Sequence, residues 1–263
     1  MKKQGKILQS PFLKAVLMTL IFVGIEILAM GFGTIHPLLY DLALNGCCLA
    51  LAWFMTCKVD KKPWKRMGLS VSKKSGKGFL IALLLTASAV VIGTVLSRFI
   101  FHDEVFVLRG TVTVGGILVT VVAFLQPAFI SQGFPEELIF RGYLVPMLKD
   151  KYNGAQTMAI SVGLFTLIHA IHLREGWAYG LLTMFYAFSF ACLAYMMKEL
   201  CQTTWAAVAV HGGVHFTRML LMLFGFAETD TAVLVQSIVL SLLVVVIGVY
   251  FRKRLFFCIL RSS

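Results

Sequence analysis

Four groups of residues in this chain have types and spacings suited to chemistry. The first is Pro135-Glu136-Glu137-Leu138-Ile139-Phe140-Arg141-Gly142, where two adjacent carboxylates and an arginine interrupt an apolar stretch. An ionised residue inside a bilayer costs roughly 2.5–3.5 kcal/mol on insertion scales, so each needs a reason. Pro135 suits the first turn of a helix, where its missing N–H would be unpaired anyway. In that helix Glu137 and Arg141 are four apart, share a face and can pair. Glu136 is rotated about 100° away and stays free for other work. An interfacial helix start with one salt bridge would explain Glu137 and Arg141 and leave Glu136 unexplained. The second group is Phe165-Thr166-Leu167-Ile168-His169, with Phe165 and His169 one turn apart. A lone histidine on an apolar helix is more often an interhelical hydrogen-bonding residue than a catalyst. The third is His211-Gly212-Gly213-Val214-His215. Its two histidines project from one face, as in ligand or catalytic pairs, and its glycines allow close approach of a neighbouring helix or a substrate. The fourth is Glu26 with Asp41 and Asn45, either a packing contact or part of a polar pathway.

The elements that must position these residues follow from composition. The 263 residues are 59% hydrophobic and 14% charged, with a mean hydropathy of +0.87. A soluble domain has about 45–50% apolar and ~25% charged residues, so this composition excludes a water-soluble globule. Several runs of about 20 apolar residues, each long enough to cross a ~30 Å core, point to an all-α polytopic membrane protein. The expected spans are Pro11 to Gly33, Leu38 to Cys57, Phe79 to Phe101, Thr113 to Leu148 with an interruption at Gly133-Phe134-Pro135, Ala155 to Ile171, Trp177 to Met197, Thr203 to Phe224, and Thr231 to Tyr250. Gly68, Gly76 and Gly78 read as breakers in the loop between the second and third spans. The first run is too long for a signal-peptide core and is expected to be an uncleaved span.

The net charge of +12 fits membrane topology better than nucleic-acid binding. Basic residues gather in short polar segments: Lys2, Lys3, Lys6 and Lys14; Lys58 to Lys77; Lys149 to Lys151; Lys198; and Arg252, Lys253, Arg254 and Arg261. The positive-inside rule assigns these segments, and both termini, to the cytoplasm, and about eight spans satisfy every loop. The six cysteines form no C-x-x-C and no zinc-ribbon spacing; most act as small hydrophobes. The chain divides into a three-span segment at 1–112, a core at 113–224 and a last span with a basic tail at 225–263, all within one membrane domain.

Depth connects the first three groups. At 1.5 Å per residue, Glu136 lies roughly 20 Å above Lys149 and His169 roughly 21 Å above Ala155. His211 and His215 lie roughly 16–22 Å above a helix starting near Leu200. Three separate segments thus carry polar residues to a similar level inside the membrane.

In this order the residues resemble the CPBP family, the CAAX protease and bacteriocin-processing intramembrane proteases, also called the ABI family. Glu136-Glu137-x-x-x-Arg141, continuing into Gly142-Tyr143-Leu144, matches its first motif. Phe165-x-x-x-His169 matches the second, and His211 opens the third. The similarity covers about Phe134 to Thr217. Position 215 departs from it: the family often has Asn there, and imidazole, unlike an amide, can also titrate or bind a metal. The resemblance implies peptide-bond hydrolysis within the membrane on a hydrophobic peptide or lipidated protein. Glu136 would be the general base, His169 would orient the water, and His211 and His215 would stabilise the oxyanion. Glu137 and Arg141, with Phe165, would hold the geometry. A zinc ion held by Glu136 and the histidines is the open alternative. H-E-x-x-H and G-x-S-x-G are absent from the sequence, which argues against a zincin and a serine nucleophile elbow. The short loops and compact size suggest a bacterial cell-membrane protein. Two other readings stand beside the protease: a non-catalytic immunity or scaffold protein, and a transporter, which would often show an internal repeat.

Overall fold

The computed structural model describes residues 10–102 and 114–251. Lys2, Lys3, Lys6, Thr113, Arg252, Lys253, Arg254, Cys258 and Arg261 lie outside these described residues. The protein is multi-pass; the described residues are all-α and include eight helices long and apolar enough to cross a membrane. They are α1 (Pro11–Gly33), α2 (Pro37–Val59), α3 (Lys73–Phe101), α4 (Gly115–Leu148), α5 (Gly154–Glu175), α6 (Trp177–Cys201), α7 (Thr204–Leu223) and α8 (Asp230–Tyr250). The eight spans expected from hydropathy are therefore present.

Most starts are set by caps, which satisfy N–H groups that a helix leaves unpaired. Ser10 caps α1 ahead of Pro11, and Asn153 with Gln156 forms a capping box at α5. Ser72 and Ser75 form another at α3, which starts this helix six residues before Phe79. Gly76 and Gly78 consequently lie inside α3 and do not break it. Gly78 is there for space: a Cβ at this position would sit 2.9 Å from Cys201 Cβ. Gly68 does end a turn, at φ +70° after the 3-10 segment Trp64–Met67.

The largest departure from expectation is in α4. Pro135 does not start a helix, and Gly133-Phe134-Pro135 does not interrupt one. The span runs unbroken through two π-helical segments, Gln126–Gly133 and Leu138–Leu144. A proline inside an α-helix removes a hydrogen bond and clashes with a carbonyl one turn back. The wider i→i+5 turn relieves this at Pro127 and Pro135, and such turns recur at functional sites. In the π register the amide of Phe134 donates to Phe129 O, so Pro135 would have served Ile130 O. The side chain of Asn45 takes that place, donating from Nδ2 to Ile130 O at 3.0 Å. Beside it Asp41 accepts from Gln126 Nε2 at 2.5 Å and from Ser131 Oγ at 2.7 Å. Asp41 and Asn45 thus fasten α2 to the π segment of α4, which is the packing reading.

The most buried spans are α6 and α7, with 67% and 56% of their central windows inside the protein. They form the centre of the bundle. α7 packs against α3, α6 and the first π segment of α4; α8 covers α3 and α6; α1 pairs with α2. At one end the basic segments are pinned by ion pairs. Arg66 meets Asp150 at 2.5 Å, Lys14 meets Asp60 at 2.5 Å, and Lys149 pairs with Glu199. Met67 O and Gly68 O accept from Thr204 Oγ1 and Thr203 Oγ1, docking the loop on the start of α7.

Candidate active site

Glu136 and Glu137 stand in the short α-helical stretch Phe134–Glu137 between the two π segments, where α4 packs on α7 and α2. Glu137 is fully enclosed. Its Oε1 accepts from Arg141 Nη1 at 2.9 Å and lies 3.1 Å from His211 Nδ1. Arg141, also fully enclosed, donates from Nη2 to Ala191 O at 2.9 Å. Its guanidinium carbon sits 4.5 Å from the centroid of the Phe165 ring. A buried ion pair needs partners for its remaining donors and acceptors; the α6 carbonyl, the α7 histidine and the α5 ring supply several of them, leaving Glu137 Oε2 and Arg141 Nε unmet. Glu137 and Arg141 therefore tie four helices together.

The three histidines converge on two aromatic rings. Phe165 lies 5.0 Å from His169 and 5.7 Å from His211, centroid to centroid. Phe190 of α6 lies 4.9 Å from His211, 6.4 Å from His215 and 6.5 Å from His169. His211 and His215 are 5.2 Å apart. Phe190 had no distinguishing mark in the sequence, being one of several aromatics in a span rich in them. Only its position facing all three imidazoles reveals it.

Hydrogen bonds fix how two of the rings are presented. His169 Nδ1 is 2.9 Å from Phe165 O. A carbonyl oxygen only accepts, so the proton is on Nδ1 and the neutral ring turns Nε2 outward as an acceptor. His211 gives its Nδ1 edge to Glu137 in the same way, leaving Nε2 free.

Glu136 differs from its neighbour. It is 8% exposed, its Oε2 is enclosed without a hydrogen-bond partner, and it forms no ion pair among the described residues. Among the described residues it makes no hydrogen bond to the histidines. Its electrostatic neighbours are Glu26 of α1, Glu137 and Arg141, and Tyr40 of α2 senses both Glu26 and Glu136. Glu26 is thus within electrostatic reach of Glu136, whereas Asp41 and Asn45 serve packing.

Zinc does not suit this arrangement. Among the described residues no three His, Cys, Asp or Glu side chains form a metal-ligating group.

A multi-pass bundle with a carboxylate pair, an arginine and three histidines held at its centre defines a membrane-embedded protein with an intramembrane site. The sequence model of the type II CAAX prenyl endopeptidase Rce1-like family matches residues 79–217. The chain belongs to that family and is a CAAX-type intramembrane protease. No curated protein matches it.

Proposed function

We propose that this protein hydrolyses a peptide bond in a lipidated, CAAX-type or otherwise hydrophobic peptide precursor, using a water activated by Glu136. The observation that carries this reading is the contrast between the two adjacent carboxylates. Glu137 is held through Oε1 by Arg141 and His211, whereas Glu136 makes no hydrogen bond or ion pair among the described residues and its Oε2 is enclosed. A buried carboxylate without a partner is expensive and is retained for chemistry.

In the proposed reaction a water sits between Glu136 and Nε2 of His169. Glu136 takes one proton, and Nε2 of His169 accepts a hydrogen bond from the other, which orients the lone pair of the water. Attack on the scissile carbonyl forms a tetrahedral oxyanion, and His215 donates to it. Nε2 of His211, whose ring Glu137 orients, joins His215 as an oxyanion donor when that ring is doubly protonated. Collapse passes the proton held by Glu136 to the leaving amine. The separate roles leave Glu137 and Arg141 as positioning residues, with residues 113–224 as the catalytic core. The basic end of the bundle would face the cytoplasm with both termini, in a bacterial cell membrane.

The test compares membrane and secreted peptides from cells making the native protein, cells making Glu136→Ala at matched level, and cells lacking it. A precursor that accumulates in both the variant and the null, with its product lost, supports the reading and names the substrate. Identical peptide profiles, with a null phenotype that Glu136→Ala rescues, would replace it with a non-catalytic immunity or scaffold role.

A further inference from the structure

One turn beyond the histidines, at the end of the bundle opposite the basic loops, a cavity of about 380 Å³ opens between α6, α7 and the start of α8. Its size falls among small-ligand sites and exceeds what a single ion fills. Arg218 of α7 and Tyr186 of α6 line it, with Glu228 and Asp230 at its rim. Tyr186 joins the cavity to the site, since its ring packs 5.7 Å from Phe190, the residue that faces all three histidines. Arg218 follows His215 by three residues on the same helix, about 5 Å along the axis.

The polar groups here are incompletely used. The Arg218 guanidinium lies over the Tyr186 ring, 4.9 Å from its centroid, and pairs through Nη2 with Glu228 Oε1. Its Nε has no hydrogen-bond partner, and the O–H of Tyr186, a residue only 4% exposed, has no acceptor, since the guanidinium beside it can only donate. An unmet buried donor costs about 1–3 kcal/mol, so two beside one cavity call for an acceptor. Guanidinium offers five N–H donors, and Glu228 engages Nη2, leaving Nε–H for a second carboxylate. Asp230 does not oppose this strongly, because it stands in the first turn of α8, where the helix dipole offsets its charge.

We infer that this cavity binds the free α-carboxylate of the substrate, with Arg218 Nε–H and Tyr186 O–H as the donors. The inference rests on the proposed peptidase reading and adds how the enzyme measures where to cut. In a C-a-a-X terminus three residues follow the lipidated cysteine. Extended, three residues span about 10 Å, which matches one helical turn from His215 plus the length of an arginine side chain. A carboxylate seated at Arg218 thus sets the scissile bond against the histidines. Glu228 holds the guanidinium in place when the cavity is empty.

The experiment uses purified full-length protein in detergent and two farnesylated C-a-a-X peptides, identical except for a free acid or a carboxamide at the C-terminus. The native protein should cleave the acid with a kcat/KM about tenfold to a hundredfold higher, mostly through KM, as expected for losing charge-assisted hydrogen bonds. In Arg218→Gln the acid-to-amide ratio should fall to near one. Glu228→Gln, which keeps the hydrogen-bonding shape and does not depend on Arg218→Gln folding, should lower KM for the acid peptide. Equal cleavage of acid and amide by the native protein overturns the inference while leaving the peptidase reading intact. So does an acid preference that Arg218→Gln preserves, or a KM that Glu228→Gln does not lower. Cleavage of neither peptide removes the lipidated-peptide reading and this subsite with it.

Discussion

Gly212→Ala and Gly213→Ala should behave in opposite ways although the two positions are adjacent. A Cβ at Gly212 would stand 2.2 Å from Cδ1 of Phe129 and 2.5 Å from its Cε1. Ordinary carbon contacts lie at about 3.5–4.0 Å, so the ring must retreat by more than about 1 Å. It has little freedom to do so, because Phe79 and Phe216 pack at 5.8 and 5.9 Å on either side of it. The strain therefore passes to the π segment Gln126–Gly133, which carries Phe129 and leads directly into Glu136 and Glu137. Overpacking of this kind costs about 1–3 kcal/mol, and a 1 Å displacement of a catalytic group costs about 100-fold in rate. At Gly213 the new Cβ meets only Leu83 Cδ1 at 2.9 Å, the tip of a flexible side chain, with Thr86 at an easy 3.7 Å. A rotamer adjustment of about 0.5–1.5 kcal/mol absorbs that. Initial cleavage rates on a farnesylated peptide, read with thermal unfolding in detergent, should show Gly212→Ala losing about two orders of magnitude while Gly213→Ala stays close to native. Equal activity in the two variants would refute the claim that the α4–α7 contact sets the position of Glu136.

The other expectations concern single groups. Glu136→Gln should abolish cleavage with no loss of unfolding temperature, since the carboxylate has no hydrogen-bond partner to lose; a retained rate would end the glutamate mechanism. Arg141→Leu should destabilise the protein by about 3–5 kcal/mol, because it strands Glu137 in a closed site; an unfolding curve unchanged from native would contradict the assigned pairing. Asn45→Ala should cost about 1–3 kcal/mol by uncovering Ile130 O, measurable by denaturation against Asn45→Asp, which keeps the volume but not the donor. His215→Asn should keep much of the activity and His215→Ala little, if the position works as a hydrogen-bond donor. Treatment with a zinc chelator should leave the rate unchanged; recovery of a lost rate on adding zinc would overturn the metal-free reading.

The spans were legible because a bilayer imposes one rule, about 20 apolar residues per crossing, and because charge marks the ends. The Glu137–Arg141 pair was legible as well, since four residues apart on a helix means one face. What escaped was everything decided between helices. Spacing gave no sign that His211 would meet Glu137, that Phe190 would face three imidazoles, or that Asn45 would serve a carbonyl 85 residues away. Pro135 misled for a local reason. Proline is at home in a first turn, and the alternative, a π turn whose orphaned carbonyl is met from another helix, depends on a partner that the surrounding sequence does not contain. Gly76 and Gly78 misled similarly, because a glycine required for a close approach reads like one required for a turn.

The two π segments of α4 make chain length itself a constraint. Each wide turn holds residues that an α-helical pitch would not accommodate. Removing one residue between Gln126 and Gly133 would force the segment toward an α-helical pitch, in which Pro127 and Pro135 each clash with a carbonyl one turn back. Glu137 and Arg141 both follow the segment and would keep their pairing, but Ile130 O, which Asn45 serves, would be displaced and the clasp between α2 and α4 lost. A single-codon deletion in this stretch is thus a harsher change than almost any substitution, whereas the same deletion in the exposed loop around Lys61 and Lys62 would shift no histidine. Among descendants of this gene, insertions and deletions should be tolerated between spans and purged from residues 126–144.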